Sequence, residues 1–191
     1  MGCAIIGCVE SLKGRLLVAA PMIVDPNFSR TVVLIVDHDG DGALGVVLNR
    51  PSETAVADAL PGWEGVSADP TLVFVGGPVQ PEAGVCLAVP KAGSDPPGFE
   101  DLLGWAGSLE LTQDPALVAP AMERLRVFAG YAGWSAGQLE AELADEGWIV
   151  VDAVPEDAFD PDPDTLWRRV LQRQGGEYRL LAVYPPHPSL N

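Results

Sequence analysis

The chain has 191 residues, of which 11 are basic and 27 acidic, giving a formal net charge of −16. Its apolar fraction of 48% excludes a disordered chain, and its length allows one well-packed core without stabilising metals or disulfides. The charge argues against direct binding to nucleic acids or anionic membranes, because that binding depends on lysine and arginine neutralising phosphates.

The N-terminal region carries no recognisable targeting signal. The short apolar stretch 4–9 has no basic region before it, and no apolar run reaches the roughly 18 residues that span a bilayer. Three cysteines cannot all pair, and they form no metal-binding cluster. We therefore expect a cytoplasmic protein without metal or cofactor, with a flexible segment 1–13 and a single domain over 14–191.

Apolar, β-branched runs dominate the first half and predict strands. Several runs are continuously apolar, which indicates strands that are buried on both faces. The predicted strands are Arg15–Ala20, Thr31–Val36, Ala43–Leu48, Thr71–Val75 and Val85–Val89. Cys86 lies in the last of these and is predicted to be a small core residue.

Helix signals appear in the second half. Asp114 followed by a proline predicts the start of a helix over Ala116–Arg126, although Pro120 would delay its regular part. A second helix is predicted to begin at Ser135, which has the capping-box spacing to Gln138.

The C-terminal third is predicted to contain a strand, a loop, a helix and a final strand. The strands are Trp148–Val151 and Tyr178–Tyr184, and the acidic stretch Pro155–Asp164 is predicted to be a surface loop. The helix begins near Pro163 and presents three arginines to water: Arg168, Arg169 and Arg173. Since strands outnumber helices and do not alternate strictly with them, the fold class is α+β.

One motif suggests catalysis. Gly133–Gly137 matches the G-x-S-x-G nucleophile pattern with Ser135, and Asp152, Asp160 and His187 follow in the acid-then-histidine order of α/β-hydrolases. A capping box explains Ser135 without chemistry, however, and the chain lacks the parallel βα repeats that present such a serine. A small serine hydrolase using Ser135, Asp152 and His187 remains the alternative function.

The segment Asp37–Gly42 contains the first half of a calcium-loop pattern. Leu48 stands where that loop needs a bidentate glutamate, so a hairpin turn rich in Asp and Gly is the simpler interpretation. His38 in this segment could carry a proton or donate a hydrogen bond in a cleft.

Four blocks of the sequence resemble the YqgE/AlgH family of bacterial proteins. They are Gly14–Met22 with Asp25–Arg30, His38 with Gly42–Pro51, Val75–Val79, and Gly130–Trp134 with Gly137–Glu140 and Trp148. The resemblance implies a single α+β domain with a large mixed, curved β-sheet, a few flanking helices and a cytosolic location. It implies no established activity, although one branch of the family is described as a candidate transcriptional regulator of alginate synthesis.

Two of these blocks end predicted strands with a proline. If the two strand ends are neighbours, Arg50 and the backbone of Gly76 and Gly77 would form an anion-sized recess. We therefore expect a non-catalytic small-ligand-binding or regulatory protein; a protein-docking regulator is a further alternative. The predicted ligand-binding residues are His38, Asn49, Arg50, Gly76, Gly77, Pro78, Tyr131, Trp134, Gln138 and Glu140. The same residues could instead only shape turns and fill the core.

Overall fold

The computed structural model describes residues 11–184. The strands are β1 (Arg15–Ala19), β2 (Val32–Asp39), β3 (Gly42–Val47), β4 (Pro51–Ala55), β5 (Leu72–Val75), β6 (Val79–Pro90), β7 (Phe99–Asp101), β8 (Gly107–Leu109), β9 (Met122–Ser135) and β10 (Trp148–Asp152). The helices are α1 (Val56–Ala59), α2 (Pro115–Val118), α3 (Gln138–Ala144), α4 (Pro155–Ala158), α5 (Pro163–Gln174) and α6 (Tyr178–Leu181).

The strands form one curled sheet in the order β10-β1-β2-β3-β9-β6-β8-β7, with β4 and β5 attached beside β9. Neighbouring strands are antiparallel except for β5, which runs parallel to β9. The sheet is therefore mixed, and the predicted α+β domain with a curved sheet is confirmed.

Both faces of β1 and β2 are covered, as their continuously apolar sequences predict. Helix α5 places Trp167, Leu171 and other apolar side chains on one face, where they join the largest core cluster. On the other face, Leu139 of α3 packs with Trp134 and Trp148 in a second cluster. Each fully buried side chain of this kind stabilises the fold by roughly 1.5–3 kcal/mol.

Strand β9 is a central strand of the sheet and pairs with β3, β5 and β6. A third core cluster lies against its first half and contains Leu125, Val127 and Cys86. The thiol of Cys86 is 3% exposed, which confirms its predicted place in the core, and burial raises its pKa.

The helix predicted over Ala116–Arg126 is wrong beyond its first turn. Helix α2 ends at Val118, a 3-10 turn spans Ala119–Ala121, and β9 begins at Met122. Pro120 lacks the N–H that a continuing helix requires. The following residues alternate between two core clusters, which is the period of a strand.

The strand predicted over Tyr178–Tyr184 is also wrong, because α6 occupies Tyr178–Leu181. Periodicity does not separate helix from strand in so short an apolar run. The spacing of Tyr178 and Leu181 fits one helix face, and both pack against the largest core cluster.

The acidic stretch Pro155–Asp164 is more than a surface loop. It contains α4, and its residues 157–160 are all buried. The reason is charge pairing: Asp157 pairs with Arg173 at 2.7 Å, and Asp160 pairs with Arg169. Of the three arginines predicted to face water on α5, two are thus engaged in ion pairs.

Arg126 of β9 is buried, with only 1% of its surface exposed. The sequence did not predict this burial. Its guanidinium donates to the carbonyl oxygens of Ala158 (3.1 Å), Asp160 (3.0 Å) and Asp69, and it stacks over the Phe74 ring at 4.3 Å. Desolvation lowers the pKa of Arg126 to about 10, so the group stays charged at neutral pH. The buried cation therefore ties β9 to two separate segments.

Replacing Arg126 by Met should destabilise the protein by about 3 kcal/mol, because three buried carbonyls lose their donor. Urea unfolding of the wild type and the variant measures this loss. Arg124→Met is the matched control on the same strand, because Arg124 is partly exposed; its guanidinium forms a 3.8 Å ion pair with Glu123 and stacks over the Phe159 ring at 4.7 Å. The Arg124→Met substitution should lower the free energy of unfolding by less than about 1 kcal/mol. Equal losses in the two variants would contradict the anchoring role.

Candidate functional site

The two proline-terminated strand ends are neighbours, as the proposed recess requires. The N–H of Val75 donates to the carbonyl of Arg50 (2.8 Å), and the N–H of Val47 donates to the carbonyl of Gly76 (2.9 Å). The backbone of Arg50 therefore lies beside the end of β5.

Gly76 and Gly77 allow this strand end to pack closely against β9, because neither has a side chain. A Cβ atom at Gly76 would lie 2.2 Å from the carbonyl oxygen of Gly130, and one at Gly77 would lie 2.2 Å from the carbonyl carbon of Tyr131. The N–H of Gly76 already donates to Ala129 at 2.9 Å. This N–H is therefore engaged by protein and does not contribute to an anion recess.

The guanidinium of Arg50 turns instead toward the segment Pro21–Arg30. Its Nη2 donates to the carbonyl oxygen of Ser29 at 2.6 Å, with a longer contact of 3.5 Å to Pro26. A cavity of about 460 Å³ opens here, which we call the arginine cavity; neither Gly77 nor Trp134 lines it. Its lining residues are Val24, Pro26, Ser29, Arg30, Asn49, Arg50 and Asp164.

Asn49 holds the wall of this cavity in place. Its amide group donates to the carbonyl of Arg30 and accepts from the N–H of Val32, each at 2.9 Å. Arg30 has a φ of 56°, a left-handed conformation that is uncommon for a residue with a side chain. The Asn49 amide fixes this turn at the point where the chain enters β2.

Arg30 also lines the cavity, and its guanidinium extends toward α5 and the end of the described chain. It stacks over the Trp167 ring at 4.6 Å and donates to the carbonyl of Tyr184. Burial, and then the charge of nearby Arg168, lowers the pKa of Arg30. Within residues 11–184, none of Arg30, Arg50 and Arg168 forms an ion pair with a carboxylate, although Asp164 lines the same cavity.

His38 lies away from the arginine cavity and joins three parts of the fold. Its side chain is 2% exposed. Nδ1 accepts from the N–H of Leu12 and Nε2 contacts Glu140 Oε1, both at 2.9 Å. Because Nδ1 is an acceptor, Nε2 carries the proton and donates to Glu140. Both ring nitrogens are therefore used in anchoring β2 to α3 and to residues before β1.

Of the two aromatic residues predicted to bind a ligand, Trp134 belongs to the second core cluster. Trp134 and Trp148 both donate their indole N–H to Glu142 Oε2, at 2.9 and 2.8 Å, and Gln138 donates to Oε1 of the same carboxylate. Tyr131 packs instead against the largest core cluster. The structure thus brings Asn49, Arg50 and the backbone of Gly76 together, and it places Trp134, Gln138 and Glu140 with α3.

The residues of the hydrolase alternative lie in separate places. The hydroxyl of Ser135 donates to Gln138 Oε1 at 3.1 Å, whereas Asp152 pairs with Arg15 at 3.1 Å. Strands β1, β2 and β3 lie between the strands of Ser135 and Asp152. Asp160 is paired with Arg169, and His187 lies outside the described residues.

Sequence reasoning missed that Arg30 lines the same cavity as Arg50 and that Arg168 lies near Arg30. Arg30 stands in one of the blocks that carry the family resemblance, and Arg168 was predicted only to face water. The available signal was the scarcity of basic residues, 11 against 27 acidic ones. Unpaired arginines in such a chain are candidates for ligand binding, but only the fold shows which of them are neighbours.

The sequence of this chain is similar to those of a known protein family. Residues 16–179 match the family model described as AlgH-like. The chain belongs to the AlgH-like family. A relative from Streptomyces avermitilis named UPF0301 protein is 49% identical over 187 residues, covering 96% of this chain and 97% of the relative. A relative of the same name from Mycobacterium tuberculosis is 46% identical over 181 residues, covering 93% and 90%.

Solved structures support the AlgH-like fold directly. A crystal structure of a protein from Corynebacterium diphtheriae has a TM-score of 0.84 at 31% identity, covering 92% of this chain and 93% of that one. The solution structure of AlgH from Pseudomonas aeruginosa has a TM-score of 0.67 at 33% identity, covering 98% and 100%. The family resemblance predicted from the sequence blocks is confirmed.

Within residues 11–184, no helix is long and apolar enough to cross a membrane. Over the same range, no group of three or more histidine, cysteine or acidic side chains is arranged to hold a metal ion.

A fluorophosphonate probe tests the hydrolase alternative. We expect wild type and Ser135→Ala to show the same background labelling, because Gln138 rather than a histidine accepts from the Ser135 hydroxyl. An active serine hydrolase in the same reaction is the positive control. Strong labelling that disappears in Ser135→Ala would restore the hydrolase alternative.

Proposed function

We propose that this AlgH-like chain is a non-catalytic binding protein whose arginine cavity takes a small oxyanion, a carboxylate or a phosphate. One observation carries the proposal: Arg30 and Arg50 line one cavity and neither has an ion-pair partner among residues 11–184. Arg168, which lies close enough to Arg30 to lower its pKa, is also without such a partner in that range. The chain has 27 acidic residues that could have supplied such a partner.

Like charges held close together repel one another. The pKa of Arg30 is lowered by burial and then by repulsion from Arg168. Elsewhere on the same domain, Arg15, Arg169 and Arg173 each pair with an aspartate. An oxyanion bound between Arg30 and Arg50 would supply the missing negative charge.

The geometry of the donors also suits an oxyanion. Arg50 uses only Nη2 in its contacts with Ser29 and Pro26, which leaves N–H groups of its planar fork for a ligand. Guanidinium groups bind carboxylates and phosphates through paired hydrogen bonds. A volume of about 460 Å³ lies within the usual range of small-molecule sites and exceeds what a bare ion needs.

The proposal includes a cytoplasmic location and a regulatory use of ligand occupancy. The net charge of −16 favours regulation through a small molecule or a protein over direct contact with nucleic acid. The segment Pro21–Arg30, which supplies much of the cavity wall, is the part of the surface that an occupied cavity would alter most directly.

Calorimetric titration with inorganic phosphate at low ionic strength tests the proposal. Arg50→Gln should weaken binding at least about tenfold, because a charge-assisted hydrogen bond contributes roughly 1.5–3 kcal/mol. Arg30→Gln should have a similar effect.

Lys91→Gln is the matched control, since it removes the same charge at an exposed site where Lys91 contacts only the Pro120 carbonyl. It should leave phosphate affinity within about twofold of wild type. Absence of phosphate binding by the wild type, or equal weakening in Arg50→Gln and Lys91→Gln, would overturn the proposal.

A further inference from the structure

A second cavity lies on the other side of the Pro21–Arg30 segment. Its volume is about 540 Å³, and we call it the apolar cavity. Residues around Met22 form one side, the edge strand β10 forms another, and α6 contributes Tyr178 and Leu181. Trp148 at the start of β10 also lines it.

The Pro21–Arg30 segment contributes to both the apolar cavity and the arginine cavity. Met22 lines the former and Val24 the latter, so the same short segment runs along both. Arg30 of the arginine cavity donates to the carbonyl of Tyr184, and Tyr184 lines the apolar cavity. The two cavities are therefore adjacent and meet at the contact between Arg30 and Tyr184.

Exposed apolar side chains line both cavities. Of the seven large apolar residues that are exposed within residues 11–184, Met22 and Tyr184 line the apolar cavity and Val24 lines the arginine cavity. Clustered apolar exposure of this kind marks binding surfaces.

The charges around the two cavities favour one orientation of a bound ligand that carries a negative group. Glu146 and Glu177 line the apolar cavity, so an anionic group is disfavoured there. Arg30 and Arg50 favour that group in the neighbouring cavity. A molecule that is negative at one end and apolar along its body matches both cavities at once.

We infer that the ligand is a free amphiphilic anion. Its carboxylate or phosphate head binds Arg30 and Arg50, and its alkyl or aryl body passes over Val24 and Met22 into the apolar cavity. The inference rests on the proposed function and names the ligand class of the same site. A free molecule is the expected source, because the net charge of −16 opposes docking on an anionic membrane.

The test compares octyl phosphate with inorganic phosphate in calorimetric titrations below the micelle concentration, with octanol as the uncharged control. Each buried methylene group contributes a factor of about four in affinity, so octyl phosphate should bind at least about tenfold more tightly than phosphate. It should also change the tryptophan fluorescence, and Trp148→Phe should reduce that change.

Two exposed residues provide a matched pair of variants. Met22→Ser should reduce the advantage of octyl phosphate while leaving phosphate binding unchanged. Leu117→Ser removes an equally exposed side chain, 74% in both cases, on the distant helix α2 and should change neither affinity. Arg50→Gln should weaken both ligands.

The outcomes separate the inference from the proposed function. If both phosphates bind equally and both depend on Arg50, the amphiphile inference is overturned and the oxyanion site stands. If octyl phosphate and octanol bind equally without regard to Arg50, both proposals are overturned. Co-sedimentation with anionic lipid vesicles, without binding of free octyl phosphate, would overturn the assignment to a free ligand.

Discussion

The buried guanidinium of Arg126 is the contact on which the arrangement of the outer elements depends. It lies on β9, the strand that pairs with three others, and it donates to carbonyls of two segments that are distant in sequence. A buried cation that keeps its charge requires such acceptors, and removing either side leaves polar groups without partners. The carbonyls of Ala158 and Asp160 are thereby fixed immediately before α5.

This anchoring determines how the few basic residues are used. Once residues 157–160 are fixed, the carboxylates of Asp157 and Asp160 meet Arg173 and Arg169 of α5. Arg168, one residue along the helix, points elsewhere and contributes its charge to the surroundings of Arg30. The acidic stretch thus neutralises part of α5, and the remaining positive charge accumulates beside the Pro21–Arg30 segment.

The sequence predicts the central strands and α5 well, because continuous β-branched runs and a proline at a helix start are local signals. It fails at Arg126, since no local pattern shows that a charged residue belongs to a buried strand. For the site, strand-terminating prolines locate two strand ends in the sequence, but only the fold shows that Arg50 lies beside the end of β5. The prolines do not predict that the Arg50 side chain contacts Ser29 in a cavity that Trp134 does not line, because that contact depends on the tertiary position of the Pro21–Arg30 segment.

Crystals grown without other oxyanions and then soaked in selenate give the most direct test that the unpaired arginines form an anion site. Selenate has the tetrahedral geometry of phosphate and scatters anomalously. The account predicts an anomalous peak within hydrogen-bonding distance of the guanidinium groups of Arg30 and Arg50. A map without that peak, in which these groups instead pair with Asp164 or Asp25, would contradict the account.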